Sequence, residues 1–290
     1  MKRSLIALIL AVAAAGCQPS FGPQTLVERL RILAIRAQPP EIGPADEQVQ
    51  LDALVADAGG RARDLACTWA VCLVELGWAA TAIDCPGGDS WIFSRDCDGA
   101  SLEVAALREW LAARGFDEQA LGQLPPGVGE DMVPLYVGLE VVQGQAVERG
   151  IKRLRLNLEG DEPNGNPRLL GVEVLEGPDG GSLPVGGQLR LKPLVDEGSR
   201  QTFADPEDGS PRREDFLFSW FSTAGEFSER RTILDVDSRG RPLDENTWLL
   251  SEQYSPPGPA WLWVVVRDGR WGTDWVELGF EVEAGTAEGD

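Results

Sequence analysis

RILAIRAQPPEIGPADEQVQLDALVAD, residues 31–57, and RLLGVEVLEGPDGGSLPVGGQLRLKPLVD, residues 168–196, are two versions of one pattern. In each, apolar and polar residues alternate, a Pro/Gly-rich break follows, and a second alternating stretch closes the unit. Alternation such as Val49, Leu51, Ala53 and Val55 puts every second side chain on one face, the mark of a half-buried strand. Self-similarity of this kind means that one supersecondary unit has been built twice.

Working outward, the likeness continues. A strand centred on a tryptophan comes next, ACTWAVC around Trp69 in the first copy and LFSWFSTAG around Trp220 in the second. Each copy ends in two strands: LYVGLEVVQG then IKRLRLNLE, and WLWVVVRDG then WVELGFEVE, with Asp268-Gly269 as a hairpin signal between the last two. Short alternating strands divided by Gly, Pro and Asp turns predict antiparallel β-sandwiches, with Trp69, Trp220, Trp248 and Trp263 in the core.

This order, with a single Trp on the third major strand, resembles immunoglobulin-like sandwiches, the PKD-like variety in particular. RILAIRAQPPEIGP, FSWFSTAGEFSERRT and LWVVVRDGRWG look like a group of uncharacterised bacterial lipoproteins carrying two such domains. The resemblance implies an all-β chain of two tandem sandwiches at the cell envelope, and implies no activity.

The layout expected is a signal peptide at 1–16, a lipidated tether at 17–28, a first domain at 29–160 with an insertion at 73–131, a Pro-stiffened linker at 161–167, a second domain at 168–284 and a tail at 285–290. The insertion holds Cys85, Cys97 and a helix over 102–114, capped by Ser101, lined on one face by Val104, Leu107, Trp110 and Leu111, and ended by Gly115. In the second copy, SRQTFADPEDGSPRRED at 199–215 reads as a long exposed hairpin or a mobile loop.

Met1, Lys2 and Arg3 precede the apolar run LIALILAVAAA at 5–15 and the small pair Gly16 and Cys17, a signal-peptide layout. The run is well short of the roughly 20 residues that cross a bilayer. AAGC at 14–17 resembles the lipobox of bacterial lipoproteins, with Ala14 where Leu is most common. The resemblance implies that Cys17 carries the lipid, and an anchor of several acyl chains holds stably. The chain is therefore expected to be exported and tied to a membrane of the bacterial envelope.

A formal charge of −21, or −23 once Lys2 and Arg3 leave with the signal, predicts a solvated acidic surface that repels phosphate backbones and anionic headgroups. Nucleic acid is not an expected partner. The chain contains no histidine, which removes the central group of Ser-His-Asp and Cys-His catalysis and of His-ligated zinc. Carboxylate-pair glycoside hydrolysis stays open, because 47 acidic residues always offer some pair.

Cys67, Cys72, Cys85 and Cys97 cluster in an exported chain, which reads as two disulfides with three pairings possible. The alternative, a four-thiolate zinc site, fits the Cys67–Cys72 and Cys85–Cys97 spacings poorly. Of the remaining features, Trp271 and Trp275 near the Asp-Gly turn are candidates for stacking on sugars or partners, with turn packing as the alternative. DVDSRG, with Asp235 and Asp237, begins like a calcium loop but has Arg239 at the third ligand position and Glu245 one residue early, and Asp161, Glu162, Asn164 and Asn166 in the linker make a second, unpatterned calcium candidate; ordinary turn chemistry is the alternative at both. No cofactor is expected, Ca²⁺ apart. The leading expectation is a non-enzymatic binding or structural module that meets an envelope protein or glycan. The alternatives are a carbohydrate-binding or carbohydrate-acting lipoprotein using exposed Trp and paired carboxylates, and a calcium-rigidified two-domain stalk.

Overall fold

The computed structural model describes residues 23–73, 90–115, 135–156, 163–178, 182–205 and 208–284. The expected signal peptide at 1–16, Cys17, Cys85, Asp161 and Glu162 lie outside them.

In the first unit, β1 (Arg31–Gln38), β2 (Glu41–Ile42), β3 (Gln48–Asp57) and β4 (Gly60–Arg61) precede the Trp strand β5 (Ala66–Leu73). There follow β6 (Ser90–Ser94), β7 (Ala100–Glu103), the helix α1 (Val104–Ala112), the hairpin β8 (Leu135–Gln143) and β9 (Ala146–Arg153), and the short β10 (Arg155–Leu156). The second unit begins with β11 (Leu169–Glu176), β12 (Ser182–Pro184), β13 (Gln188–Val195) and a side hairpin of β14 (Thr202–Ala204) and β15 (Pro211–Arg213). Its Trp strand β16 (Leu217–Ser222) leads to β17 (Glu226–Phe227), β18 (Arg231–Ile233) and β19 (Asn246–Leu249), then to the closing hairpin β20 (Gly258–Arg267) and β21 (Thr273–Glu283).

Both units sort their strands in the same way. β1, β3 and β7 form one sheet and β6-β5-β8-β9 the other; in the second unit β11-β13-β19-β17 faces β12-β21-β20-β16-β18. This division of strands, with the Trp strand and the closing hairpin in one sheet, is that of the immunoglobulin-like sandwich. A further detail is duplicated: the short strand after the first pairs parallel with the end of the last, β2 with β10 and β12 with β21.

Each Trp strand anchors a separate core. Trp69 is 1% exposed among Val49, Leu51, Val137 and Leu139, and its indole N–H donates to the Asp96 carbonyl at 2.8 Å. Trp220 is 0% exposed among Leu191, Val264 and Val266 and donates to Thr232 Oγ1 at 2.9 Å. A buried indole needs such an acceptor, because its one N–H has lost water.

Several expectations change in detail. β6 pairs with β5 and β7 with β3, so segment 73–131 supplies two sandwich strands as well as a disulfide and the helix. Ser101 sits inside β7 and caps nothing; Glu103 is the N-cap without a side-chain bond, and the Val104 N–H donates to the Glu47 carbonyl at 2.9 Å. The helix starts straight from a strand, so a neighbouring backbone supplies the acceptor that a capping side chain would otherwise give. Residues 199–215 take the hairpin form through β14 and β15.

A third apolar cluster joins the two sandwiches. Leu33 and Ala34 of β1, Leu54 and Ala56 of β3, and Val27 meet Trp263 and Val265 of β20, with Phe221, Trp261 and Trp275 packed against them. A register break between Ile32 and Ala34 turns both Leu33 and Ala34 to this outer face. Trp263, expected in a sandwich core, is fully buried in this joint instead. Residues 25–27, expected within a tether, pack on the sandwiches: Thr25, Leu26 and Val27 are buried, and the Val27 N–H donates to the Ser222 carbonyl of β16 at 2.8 Å. Their apolar side chains find the groove between the sandwiches a better environment than water.

Candidate binding surfaces at the domain joint

Residues 163–167, expected as part of a linker, do more than space the domains. Asn164 is buried, its amide N–H donates to Glu41 Oε2 at 2.9 Å, and its side-chain NH₂ donates to Asp268 Oδ2 at 3.0 Å and the Arg270 carbonyl at 2.8 Å. Asn166 donates to the Ala37 carbonyl at 2.8 Å and accepts from the Thr273 N–H at 2.8 Å. One asparagine thus ties the end of β1 to the start of β21.

Around these residues lies a buried ionic network. Arg270 reaches Glu214 Oε1 at 3.1 Å and Glu41 Oε2 at 3.7 Å, while Arg155 approaches Glu41 Oε1 at 3.7 Å. Burial pushes the Glu214 carboxyl up from its ordinary range, and the hydrogen bond from the Gln201 N–H and the charge of Arg270 oppose that rise. Lys152 of β9 donates to the Trp271 carbonyl and, at 3.0 Å, to Thr273 Oγ1. Arg36 bridges Asp52 of its own domain at 2.9 Å and Asp274 of the other at 2.6 Å. A buried charge left alone is costly, so Glu41, which meets Arg270, and Lys152, which meets Thr273, fix the relative position of the domains by needing partners across the joint.

The sequence candidates scatter across this arrangement. Trp275, a candidate for stacking on a ligand, is partly buried against the joint cluster, with the Arg36 guanidinium 4.6 Å from its ring centre. Trp271 is exposed, 42%, with Arg153 stacked 4.9 Å over its ring. Asp237 is spent within its own turn, accepting from the Arg239 and Arg241 N–H groups at 2.8 and 3.0 Å and from the Arg241 guanidinium at 2.7 Å. Asp235 accepts from the Val236 N–H at 2.7 Å. Among the described residues no three His, Cys, Asp or Glu side chains gather as a metal site. Cys67 and Cys97 form a disulfide, and Cys72 is disulfide-bonded as well.

Two clefts open beside the joint. The larger, about 830 Å³, lies between the entry segment 23–31 and β16, β18 and β20, and is rich in arginine. The smaller, about 570 Å³, brings Trp261 together with Asp57, Asp64 and Glu277. Sequence reading pointed to neither, because the residues of each come from opposite domains. The available signal was the unalternating run Leu262–Val266, since a strand that is apolar on both faces is covered on both faces.

No protein-family model and no curated protein matches the chain. Among solved structures it is similar to an Escherichia coli alpha-2-macroglobulin activated by porcine elastase, at 9% identity and TM-score 0.24, over 91% of this chain and 22% of that one. It is also similar to the N-terminal Ig1-2 module of the Drosophila receptor protein tyrosine phosphatase DLAR, at 8% identity and TM-score 0.23, over 89% and 99% of the two chains. A third is the D00-D0 domain of intimin, at 10% identity and TM-score 0.26, over 88% and 98%. The chain spans about a fifth of the alpha-2-macroglobulin. The immunoglobulin-like assignment rests on this chain's own strand order, and no catalytic family is indicated.

Proposed function

We propose that the chain is exported, held at the bacterial cell envelope through lipid on Cys17, and acts there as a non-enzymatic binding or structural module. The observation that carries the module reading is the joint: a third apolar cluster and the cross-domain pairs Arg36–Asp274 and Arg270–Glu41 hold the two sandwiches together, suited to presenting surfaces rather than closing around a substrate. The anchor is tested by metabolic labelling with a fatty acid in the wild type and in Cys17→Ser. Label in the wild type alone supports it, and equal labelling removes it. Pull-down of envelope proteins with the wild-type chain tests the binding role.

The carbohydrate alternative is favoured by one observation, the smaller cleft, where an indole and three carboxylates line one space. Two of those carboxylates already accept hydrogen bonds, Glu277 from the Trp263 indole at 2.6 Å and Asp57 from Gln143 at 2.8 Å. If the wild-type chain is not retained on cellulose, chitin or peptidoglycan, this reading fails.

A further inference from the structure

Net charge and local charge disagree at the larger cleft. In a chain of formal charge −21, its lining holds Arg29, Arg31, Arg230, Arg231 and Arg267 against a single carboxylate, Glu28. Among the described residues none of the five makes a salt bridge. Arg31 donates to the Gln24 and Leu26 carbonyls at 3.0 and 3.2 Å and lies 5.3 Å from the Phe221 ring centre. Arg230 donates to Gln24 Oε1 at 2.6 Å, and Arg267 to Ser219 Oγ and the Leu33 carbonyl, both at 3.2 Å. These neutral partners hold the guanidinium groups of Arg31, Arg230 and Arg267 without a carboxylate in direct contact, and Glu148 acts on Arg31 only from beyond ion-pair distance. Elsewhere on the molecule arginines meet carboxylates directly, as at Arg149–Glu140, 2.7 Å, and Arg241–Asp237, 2.7 Å.

Gathering like charges costs free energy unless something of opposite sign is there to relieve it. Burial is the main cause that lowers the Arg267 pKa, with the neighbouring Arg231 adding to it; burial also lowers that of Arg31, where Glu148 opposes the shift and Arg29 adds a smaller part to it. The site is built rather than incidental, because its arginines come from three separate places: the entry segment, β18 with the residue before it, and the end of β20. β18 and β20 flank β16 and so bring Arg230, Arg231 and Arg267 to one place, and the docking of residues 23–31 against the second sandwich adds Arg29 and Arg31 to them.

We propose that this cleft binds a phosphate-bearing anion. A planar guanidinium donates two parallel N–H bonds to phosphate oxygens, and a group carrying more than one negative charge answers several guanidinium groups at once, which a single carboxylate does not. The volume of about 830 Å³ accommodates a headgroup-sized ligand. The ligand has two possible sources, a soluble phosphorylated molecule or a phospholipid headgroup. The second rests on the lipid anchor proposed above: Pro23 follows Cys17 by six residues, a reach of roughly 20 Å from the bilayer.

The test uses the purified full chain. Arg29, Arg230 and Arg231 are exposed, so Arg29→Gln/Arg230→Gln/Arg231→Gln spares the cores. Arg149→Gln/Arg212→Gln/Arg239→Gln, also exposed, is a control with the same charge change. Calorimetric titration with inorganic pyrophosphate is expected to show salt-sensitive binding by the wild type and the control, weakened about tenfold or more in the cleft variant. No binding by the wild type, or equal binding by both variants, overturns the proposal. In a second arm, flotation compares vesicles of phosphatidylcholine with vesicles containing phosphatidylglycerol. A preference for phosphatidylglycerol that the cleft variant loses identifies the lipid source, and pyrophosphate binding without that preference identifies a soluble one. The pyrophosphate arm does not depend on Cys17, so failure of the anchor in the labelling experiment leaves it standing.

Discussion

The two sandwiches share their strand order and a buried tryptophan at the same place in it, yet they are closed by different means. The first carries a covalent staple, Cys67–Cys97, that ties β5 to the turn before β7, and it rests the buried face of α1 on its core. The second has no cysteine and fills its middle with aromatic rings: Trp220 to Phe227 at 5.5 Å, Phe227 to Trp248 at 6.1 Å, and Trp248 to Phe280 at 5.2 Å. Alternation and turn positions are common to the two units and specify the fold; what fills and fastens the core is interchangeable, provided the volume is closed.

That contrast can be broken most sharply at Trp248. It is fully buried, and its indole donates to the Ala224 carbonyl at 2.8 Å. Trp248→Ala is expected to destabilise the chain by about 3–5 kcal/mol in urea unfolding. A loss under about 1 kcal/mol, the range of a surface change, would mean that the ring stack is not what closes the second sandwich.

Next in size is the staple. The Cys67–Cys97 link spans a sequence separation of 30 residues, so Cys67→Ala/Cys97→Ala is expected to lose about 3–4 kcal/mol, confined to the transition of the first sandwich if the two melt separately. Equal unfolding midpoints for the wild type and the double variant would erase the difference between the domains.

Lys152 tests what the two domains share. Burial lowers its pKa from 10.5 to about 8, with Asp268 opposing the shift and Arg267 adding to it. The unfolded chain therefore holds more protons than the folded one between these values, and folding stability rises as pH climbs from about 8 to 10.5. Below pH 8 the amine is charged in both states and the whole penalty, about 3 kcal/mol, is present. Unfolding free energies of the wild type and Lys152→Met are expected to diverge in slope across this window; parallel slopes would remove Lys152 as a charged element of the joint.

The smallest expected effect is at Gly60, the first residue of β4. Its φ is +113°, and a Cβ there would stand 2.4 Å from Trp261 Nε1 of the other domain. Gly60→Ala is expected to cost about 1–3 kcal/mol through backbone strain and displacement of the indole. Thermal melting reads it, and an unchanged midpoint would show that the joint yields at this edge.

Residues 31–57 and 168–196 were enough to establish an all-β chain of two repeated sandwiches, because period-two alternation and Pro/Gly breaks are local signals that need no partner to be read. The burial of Trp69, Trp220 and Trp248 followed from the same alternation. Clustered cysteines in a chain expected to be exported were enough to expect disulfides, but not to choose among three pairings, since pairing depends on which Cβ atoms the fold brings within reach. Only the tertiary structure decided that Trp263 and Trp275 serve the joint, that Asn164 and Asn166 bind the domains together rather than space them, and that five arginines of an acidic chain face one cleft. These depend on contacts between residues as far apart as Arg36 and Asp274, and on a register break in β1 that turns Leu33 and Ala34 outward. A sequence shows which face of a strand is apolar, whereas the surface that comes to cover that face is fixed only when distant strands dock.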